Sequence, residues 1–253
     1  MLNYISAEWY KLCRTKGIFL AFVFLLFMIG LIFFPTFWYA IPTIPMYIAA
    51  YLAFLILGFF LAPIFAIRAF DDQYGRGTLK NEVVFGIPRS RSYLGKMLFG
   101  GLVGTAAAFL VMGFYILLCL LSSHVWEADT GLWLDLCVKG TLLVLPLWWA
   151  SMSLAFCLQA VFRNSAGATA VNYLFLLFSV PISMAGFYEK TDSPILNFFN
   201  YWFFVAPYRI TYSVMDGAWT SAGGMAYSWL VGIAWIVGTS AVGLFAFNLK
   251  ELH

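Results

Sequence analysis

The sequence predicts an all-helical membrane protein with six transmembrane helices. Of its 253 residues, 63% are hydrophobic and 10% are charged, and the mean hydropathy is +0.89. Such a composition is too apolar for an ordinary soluble surface. The apolar runs are about twenty residues or longer, enough for a helix to cross roughly 30 Å of hydrocarbon. They also lack the alternating polarity that is typical of barrel strands.

Residues 1–16 are predicted to form an interfacial elbow helix. Apolar side chains recur there at helical spacing, at Leu2, Ile5, Trp9 and Leu12, and charged residues lie between them. A segment of this kind lies flat at the membrane surface with its indole at headgroup depth. A disordered tail is the alternative interpretation.

Six runs are predicted to cross the membrane. They cover residues 17–39, 45–69, 97–121, 136–162, 167–187 and 225–249. The first run follows Lys11, Arg14 and Lys16, as a signal peptide would, but it is long and lacks a small-x-small cleavage site. It is therefore predicted to remain as a span, and the even number of spans places both termini on the same side.

Prolines and small residues mark where the spans bend or pack. Three prolines interrupt spans two, four and five: Pro63, Pro146 and Pro181. Each removes a backbone hydrogen bond and can kink its helix. Gly100 with Gly104, and Ala166 with Ala170, have the small-xxx-small spacing that is typical of close helix packing.

The connection 188–224, between spans five and six, is predicted to be external and partly buried. Its middle, 195–206, is too short to cross a membrane and too apolar to lie in water. Pro207 then interrupts it, and 208–219 resumes a helical mixture. Two short helices that dip into the outer leaflet or cap a cavity satisfy these facts, because irregular backbone at membrane depth must be shielded by protein. Interfacial aromatic residues are an equally weighted alternative.

The distribution of Lys and Arg predicts the orientation. With the N-terminus in the cytoplasm, eleven of the fourteen basic residues lie inside and three lie outside: Lys139, Lys190 and Arg209. The polar segment 70–96 is therefore predicted to be cytoplasmic. The net charge of +3 is a topology signal rather than a signal for nucleic-acid binding.

Several kinds of chemistry find no support in the sequence. There is no phosphate loop, no His-Glu-x-x-His motif and no Gly-x-Ser-x-Gly motif, and the chain has two histidines, His124 and His253. His124, Glu127 and Asp129 share a loop, but their spacing matches no zinc or calcium pattern. The predicted spans carry almost no ionisable residues, which counts against an ion-coupled transporter.

The four cysteines show no Cys-x-x-Cys spacing, and no redox role is assigned to them. Cys119 and Cys137 are both predicted near the outer surface, where a disulfide can form. Buried free thiols are the favoured interpretation.

The segment 70–96 has the pattern of a mechanical coupling element. Span two is predicted to continue past Arg68 and to break at Gly75 and Gly77, after which Thr78 can cap a short amphipathic helix over 79–85. Span three then begins near Ser90. A helix held between two spans can be pressed into a groove on a soluble partner and pass its movement to the membrane. A solvated basic loop that serves topology alone is the competing interpretation.

These residues resemble the ABC-2 type permeases, the membrane subunits of ATP-driven exporters. The resemblance is carried by Phe70, by the Tyr74-x-x-Gly-Thr-Leu-Lys-Asn81 run, and by Gly86-Ile-Pro-Arg89 followed by Tyr93 and Lys96. The layout of elbow, six spans, coupling loop and external element is also similar. Two positions depart from the family pattern, because Gln73 stands where an acidic residue is common and Pro88 where a serine is common.

The resemblance implies a permease subunit with no ATPase site of its own, in the plasma membrane of a bacterium. It implies two copies of a separate ABC ATPase, which would hold the ATP and Mg, and a second copy of this chain or a sibling permease. The residues expected to contact the ATPase are Asp71, Asp72, Gln73, Gly77, Thr78, Leu79, Lys80, Asn81, Glu82, Val83 and Arg89. No cofactor and no nucleic acid is expected on this chain. The expected cargo is hydrophobic or amphipathic, with membrane-active peptides as one candidate class. An ion-coupled transporter or channel, and an intramembrane enzyme, are the alternatives.

Overall fold

A computed structural model describes residues 9–10, 23, 44–75, 88–121, 130–162, 164–188, 194–202 and 222–249. Within these ranges every regular element is an α-helix, which agrees with the predicted class. The helices are α1 (Ile44–Gly75), α2 (Arg89–Leu121), α3 (Thr130–Val161), α4 (Ser165–Tyr188), α5 (Pro194–Tyr201) and α6 (Ala222–Leu249). The predicted first span, apart from Val23, and the second short external helix lie outside the described residues.

Three helices in the described part of the chain are long and apolar enough to cross a membrane: Arg89–Leu118, Cys137–Val161 and Gly223–Leu249. They correspond to predicted spans three, four and six. Phe54–Arg68 and Ser165–Ser179 are shorter apolar stretches within α1 and α4. The count of six spans therefore stays a prediction.

Two helices begin earlier than the predicted spans. α2 starts at Arg89, next to the start predicted near Ser90 and eight residues before the apolar run that begins at 97, and the amides of Arg91 and Ser92 bond to the carbonyl of Pro88. α3 starts at Thr130 rather than at 136, so Asp135 and Lys139 lie within the helix, where they form an exposed ion pair. Both differences have the same cause, because hydropathy records the stretch that is apolar enough for lipid whereas the helix continues beyond it.

The structure shows where helices begin and end near the predicted loops. α1 continues to Gly75, the residue at which the break is predicted. Between α3 and α4, the Asn164 side chain accepts a hydrogen bond from the Ala166 amide at 3.0 Å, which caps the start of α4. Helix α5 occupies part of the predicted external element, and the Trp235 indole of α6 donates to the carbonyl of Trp202 just beyond it, at 2.7 Å.

Helix α3 lies at the centre of the described bundle. In its most apolar stretch 72% of the residues are buried, whereas the corresponding share is 22% in α2 and 33% in α6. It packs most extensively against α6 and α1. One hydrophobic cluster includes Tyr51, Leu55, Leu147 and Trp148, and a second is centred on Tyr93 and Phe156.

Polar side chains of neighbouring helices satisfy the carbonyls that two prolines leave open. A proline has no amide proton, so the carbonyl four residues earlier loses its helical partner. For Pro63 that carbonyl belongs to Phe59, and it accepts a hydrogen bond from the Ser151 hydroxyl at 2.8 Å. For Pro146 it belongs to Leu142, and it accepts one from the Trp229 indole at 3.2 Å. Each interrupted helix is therefore joined to its neighbour at its weak point.

Close packing at Gly100 and Gly104 is confirmed. A methyl group at either position would approach the Phe65 side chain to 3.3 Å, so both glycines let α2 lie close to α1. The expectation for Ala166 and Ala170 is not met within the chain, because both residues are exposed. Cys137 and Cys157 are buried free thiols, as favoured.

Candidate functional site

The structure describes part of the predicted coupling segment. Asp71, Asp72 and Gln73 lie in the last turns of α1 as far as their backbone is described, and Arg89 is the first residue of α2. The remaining predicted contact residues are Gly77, Thr78, Leu79, Lys80, Asn81, Glu82 and Val83, and they lie outside the described residues. Of the predicted contact residues, Arg89 is therefore the one whose side-chain contacts the structure describes.

Arg89 connects the end of the predicted coupling segment to the end of α6. Its Nη1 atom donates to the carbonyl of Asn248 at 3.3 Å. The last carbonyls of a helix lack intrahelical partners and carry partial negative charge, so a cation placed there is favourable. The bond crosses 159 residues of sequence and joins the first residue of α2 to the final turn of α6.

One turn further along α2, Tyr93 is buried among the ends of three helices. Its ring centroid is 5.8 Å from that of Phe156 in α3, edge to face, and 5.7 Å from that of Phe247 in α6. Aromatic pairs at these separations attract one another beyond their burial. Gly243 makes the arrangement sterically possible, because a methyl group there would collide with Tyr93 Oη. We call Tyr93, Phe156, Gly243 and Phe247 the Tyr93 cluster.

Lys96 is buried, although it ends the polar segment 70–96 that the sequence predicts to be cytoplasmic. It lies in the second turn of α2 and is 5% exposed. The neighbouring Met97 accepts a hydrogen bond from Ser240 of α6, with 3.3 Å between Oγ and Sδ. The spacing of Tyr93, Lys96, Met97 and Gly100 on one helix face is a signal that could have indicated this burial.

The predicted elbow touches the same helix. Trp9 and Tyr10 are helical, and the Trp9 ring lies edge-on to Phe99 with 6.5 Å between centroids. Trp9 is 56% exposed. The course of the elbow helix as a whole stays a prediction.

Taken together, these contacts connect the ends of three helices. The start of α2 is joined to the ends of α3 and α6 by one hydrogen bond and two ring contacts. A displacement applied to the segment before Arg89 would reach α6 through packed aromatic rings, which resist compression.

Comparison with known protein families gives one match. A family model described as "ABC-2 family transporter protein" matches residues 4–180, more than half of the chain. The matched region includes the predicted elbow, the coupling segment, α1 to α3 and most of α4. Comparison with curated proteins finds no match.

Proposed function

The chain belongs to the ABC-2 family of transporter proteins, and from that premise we propose that it is the membrane permease subunit of an ATP-driven exporter. ATP and Mg would be bound by separate ATPase subunits rather than by this chain. The observation that carries the proposal is the family match, which spans the predicted coupling segment 70–96.

The proposed route of coupling runs from the ATPase through residues 79–85 to α2. Two ATPase subunits would close on ATP and push this segment toward the membrane. Arg89 and the Tyr93 cluster support such a route, because they join the first turns of α2 to the ends of α3 and α6. The central helix α3 would then move together with α6, its most extensively packed neighbour.

The rest of the assembly is proposed on family grounds and on composition. A second copy of this chain, or a sibling permease, would complete the pathway in the plasma membrane of a bacterium, with both termini cytoplasmic. A hydrophobic or amphipathic cargo is favoured by the aromatic content of 20% and by the low charge of the spans. Membrane-active peptides are one class that fits this description.

One observation gives the alternative of an ion-coupled transporter a specific test. Such a transporter needs a buried ionisable group, and Lys96 is buried in a helix, Arg89–Leu118, that is long and apolar enough to cross a membrane. If ions drove transport, Lys96→Met would abolish it, and transport would continue when the ATPase is inactive. The exporter proposal expects the opposite dependence, with transport lost when ATP hydrolysis is blocked.

Co-purification tests the proposed partner. The tagged chain is isolated from its native membrane in mild detergent, and a protein with a phosphate-binding loop is expected to copurify. Leu79→Asp and Val83→Asp are expected to reduce its recovery at least tenfold, because each places a charge on the apolar face that would enter the ATPase groove. Lys139→Gln, at the far end of α3, serves as the control and should leave recovery unchanged. Absence of an ATPase, or equal recovery with all variants, would refute the proposal.

A further inference from the structure

An apolar groove lies between helices α3, α5 and α6. It encloses about 440 Å³, and most of its wall comes from one face of α6, between Val231 and Val242. The remaining lining residues are Cys157 of α3, Phe198 of α5 and Trp202 just beyond α5. The volume is within the range of small-molecule sites in proteins.

The groove lies at the depth of the hydrocarbon. At a rise of 1.5 Å per residue, the wall from Val231 to Val242 is about 16 Å long. It is separated from the ends of α6 by about 14 Å on one side and about 10 Å on the other, in a helix that is itself a candidate span. The groove therefore opens within the apolar core of a bilayer, where acyl chains are the surrounding solvent.

The polar groups along the wall are already engaged with the protein. The Thr239 hydroxyl bonds to the carbonyl of Trp235 at 2.7 Å and to the Ser153 hydroxyl at 2.8 Å. The Trp235 indole donates to the carbonyl of Trp202. A polar occupant would lose its own hydrogen bonds on entering, so the wall selects for hydrocarbon.

Gly238 points to open space rather than to a neighbouring helix. The other α6 glycines at 232 and 243 are required by contact, because a methyl group there would collide with Pro146 or with Tyr93. A methyl group at Gly238 would meet no atom of the described residues within 4 Å. Ala234 lies one turn earlier on the same wall, so two small residues hollow the helix surface where packing does not require it.

We propose that this groove binds one acyl chain of a membrane phospholipid. The groove is continuous with a surface that such chains already cover, because Val237, Val242 and Phe198 beside it are each about half exposed or more. None of the described residues that line the groove is charged. The groove therefore accommodates the acyl chain, while the phospholipid headgroup stays at the membrane interface. The bound chain would fill the space between α5 and α6 and hold α5 against the bundle.

Photocrosslinking in nanodiscs tests the site. The chain is reconstituted with a phosphatidylcholine that carries a diazirine near the middle of one acyl chain, and crosslinked peptides are mapped by mass spectrometry. Adducts are expected on residues 231–242 and 198–202 at several times the yield found on the exposed face of α2 around Leu102 and Leu110. Equal yields on the two faces would overturn the proposal.

Two substitutions fill the groove from different positions, Gly238→Leu and Ala234→Phe. Each is expected to lower the adduct yield on residues 231–242 at least fivefold. Gly113→Leu is the matched control, since Gly113 of α2 is equally open but lies outside the groove. Unchanged yield in a folded filling variant would overturn the proposal. Displacement of the lipid by an added cargo peptide, or by another segment of this chain found crosslinked in the groove, would overturn it as well.

Discussion

At the scale of single residues, the fold can be tested at side chains that bond to the backbone carbonyls of neighbouring helices. Ser151 supplies a hydrogen bond that Pro63 removes from the Phe59 carbonyl. In the bilayer no water can replace this bond. Ser151→Ala is therefore expected to destabilise the chain by about 1 kcal/mol, measured by equilibrium unfolding in mixed micelles.

A double-mutant cycle isolates that bond. In Pro63→Ala the residue 63 amide can again bond to the Phe59 carbonyl, so Ser151→Ala should cost less in that background. Ser179→Ala is the matched control, because Ser179 is equally buried but bonds within its own helix, to Leu176. An equal cost of Ser151→Ala in both backgrounds would show that Ser151 does not replace the lost bond.

Asn172 gives a prediction of opposite sign. Its side chain is 1% exposed, and neither amide atom has a hydrogen-bond partner among the residues that the structure describes. Replacement of an unsatisfied buried amide by an apolar side chain of similar size removes a desolvation penalty. Asn172→Leu is expected to stabilise the chain by about 1 kcal/mol, which corresponds to a rise of roughly 2–4 °C in the melting temperature. A fall of that size would mean that the amide is bonded in the membrane.

At the scale of whole helices, α6 offers a comparison between two of its own glycines. Gly243→Ala would drive a methyl group into Tyr93 Oη, whereas Gly238→Ala meets no atom of the described residues within 4 Å. The first is expected to destabilise by about 1–3 kcal/mol through overpacking. The second is expected to be neutral, or to stabilise by up to about 1 kcal/mol because alanine favours helix. Thermal unfolding of both variants, side by side, measures the difference.

The reverse order would contradict the packing described for the Tyr93 cluster. Tyr93→Phe combined with Gly243→Ala gives a further check, since removal of the hydroxyl takes away the closest contact but leaves the ring carbon Cζ at 2.9 Å and the Cys157 Cα at 3.1 Å from the methyl group. The double variant should recover part of the stability that Gly243→Ala loses.

Helix positions were largely predictable, because a run apolar enough to cross a bilayer has few other stable conformations. The start of α3 was missed by six residues, where the helix leaves the apolar run, whereas α2 starts one residue before the start predicted near Ser90. The partners of the proline carbonyls were also missed. Ser151 and Trp229 lie 92 and 87 residues from the carbonyls they satisfy, and a local pattern does not record such distances.

The coupling role of the segment 70–96 stays a prediction, and the packing beside its end was not predictable from the sequence. The Gly-Thr-Leu-Lys-Asn order and the basic residues around it indicated the coupling segment, and Arg89 was named as one of its members. The burial of Tyr93 and Lys96 arises from α3 and α6, which are distant in sequence. Charge alone suggested a solvated position for Lys96, whereas tertiary packing buries it.

At the scale of the whole molecule, hydrogen bonds join α3 to both of its main neighbours. α3 bonds to α1 through Ser151 and Trp148, and to α6 through Ser153. These bonds lie inside the bundle, so the three helices are expected to move as one unit. The Tyr93 cluster sits at the end of that unit next to the predicted coupling segment.

The central claim is that an ATPase drives this chain through residues 79–85. The most direct measurement is ATP hydrolysis and transport by the complex of this chain with the ATPase that copurifies with it, reconstituted in liposomes. Leu79→Asp and Val83→Asp should abolish ATP-dependent transport while the isolated ATPase keeps its basal hydrolysis. Transport that persists in these variants, or that proceeds without ATP, would contradict the account.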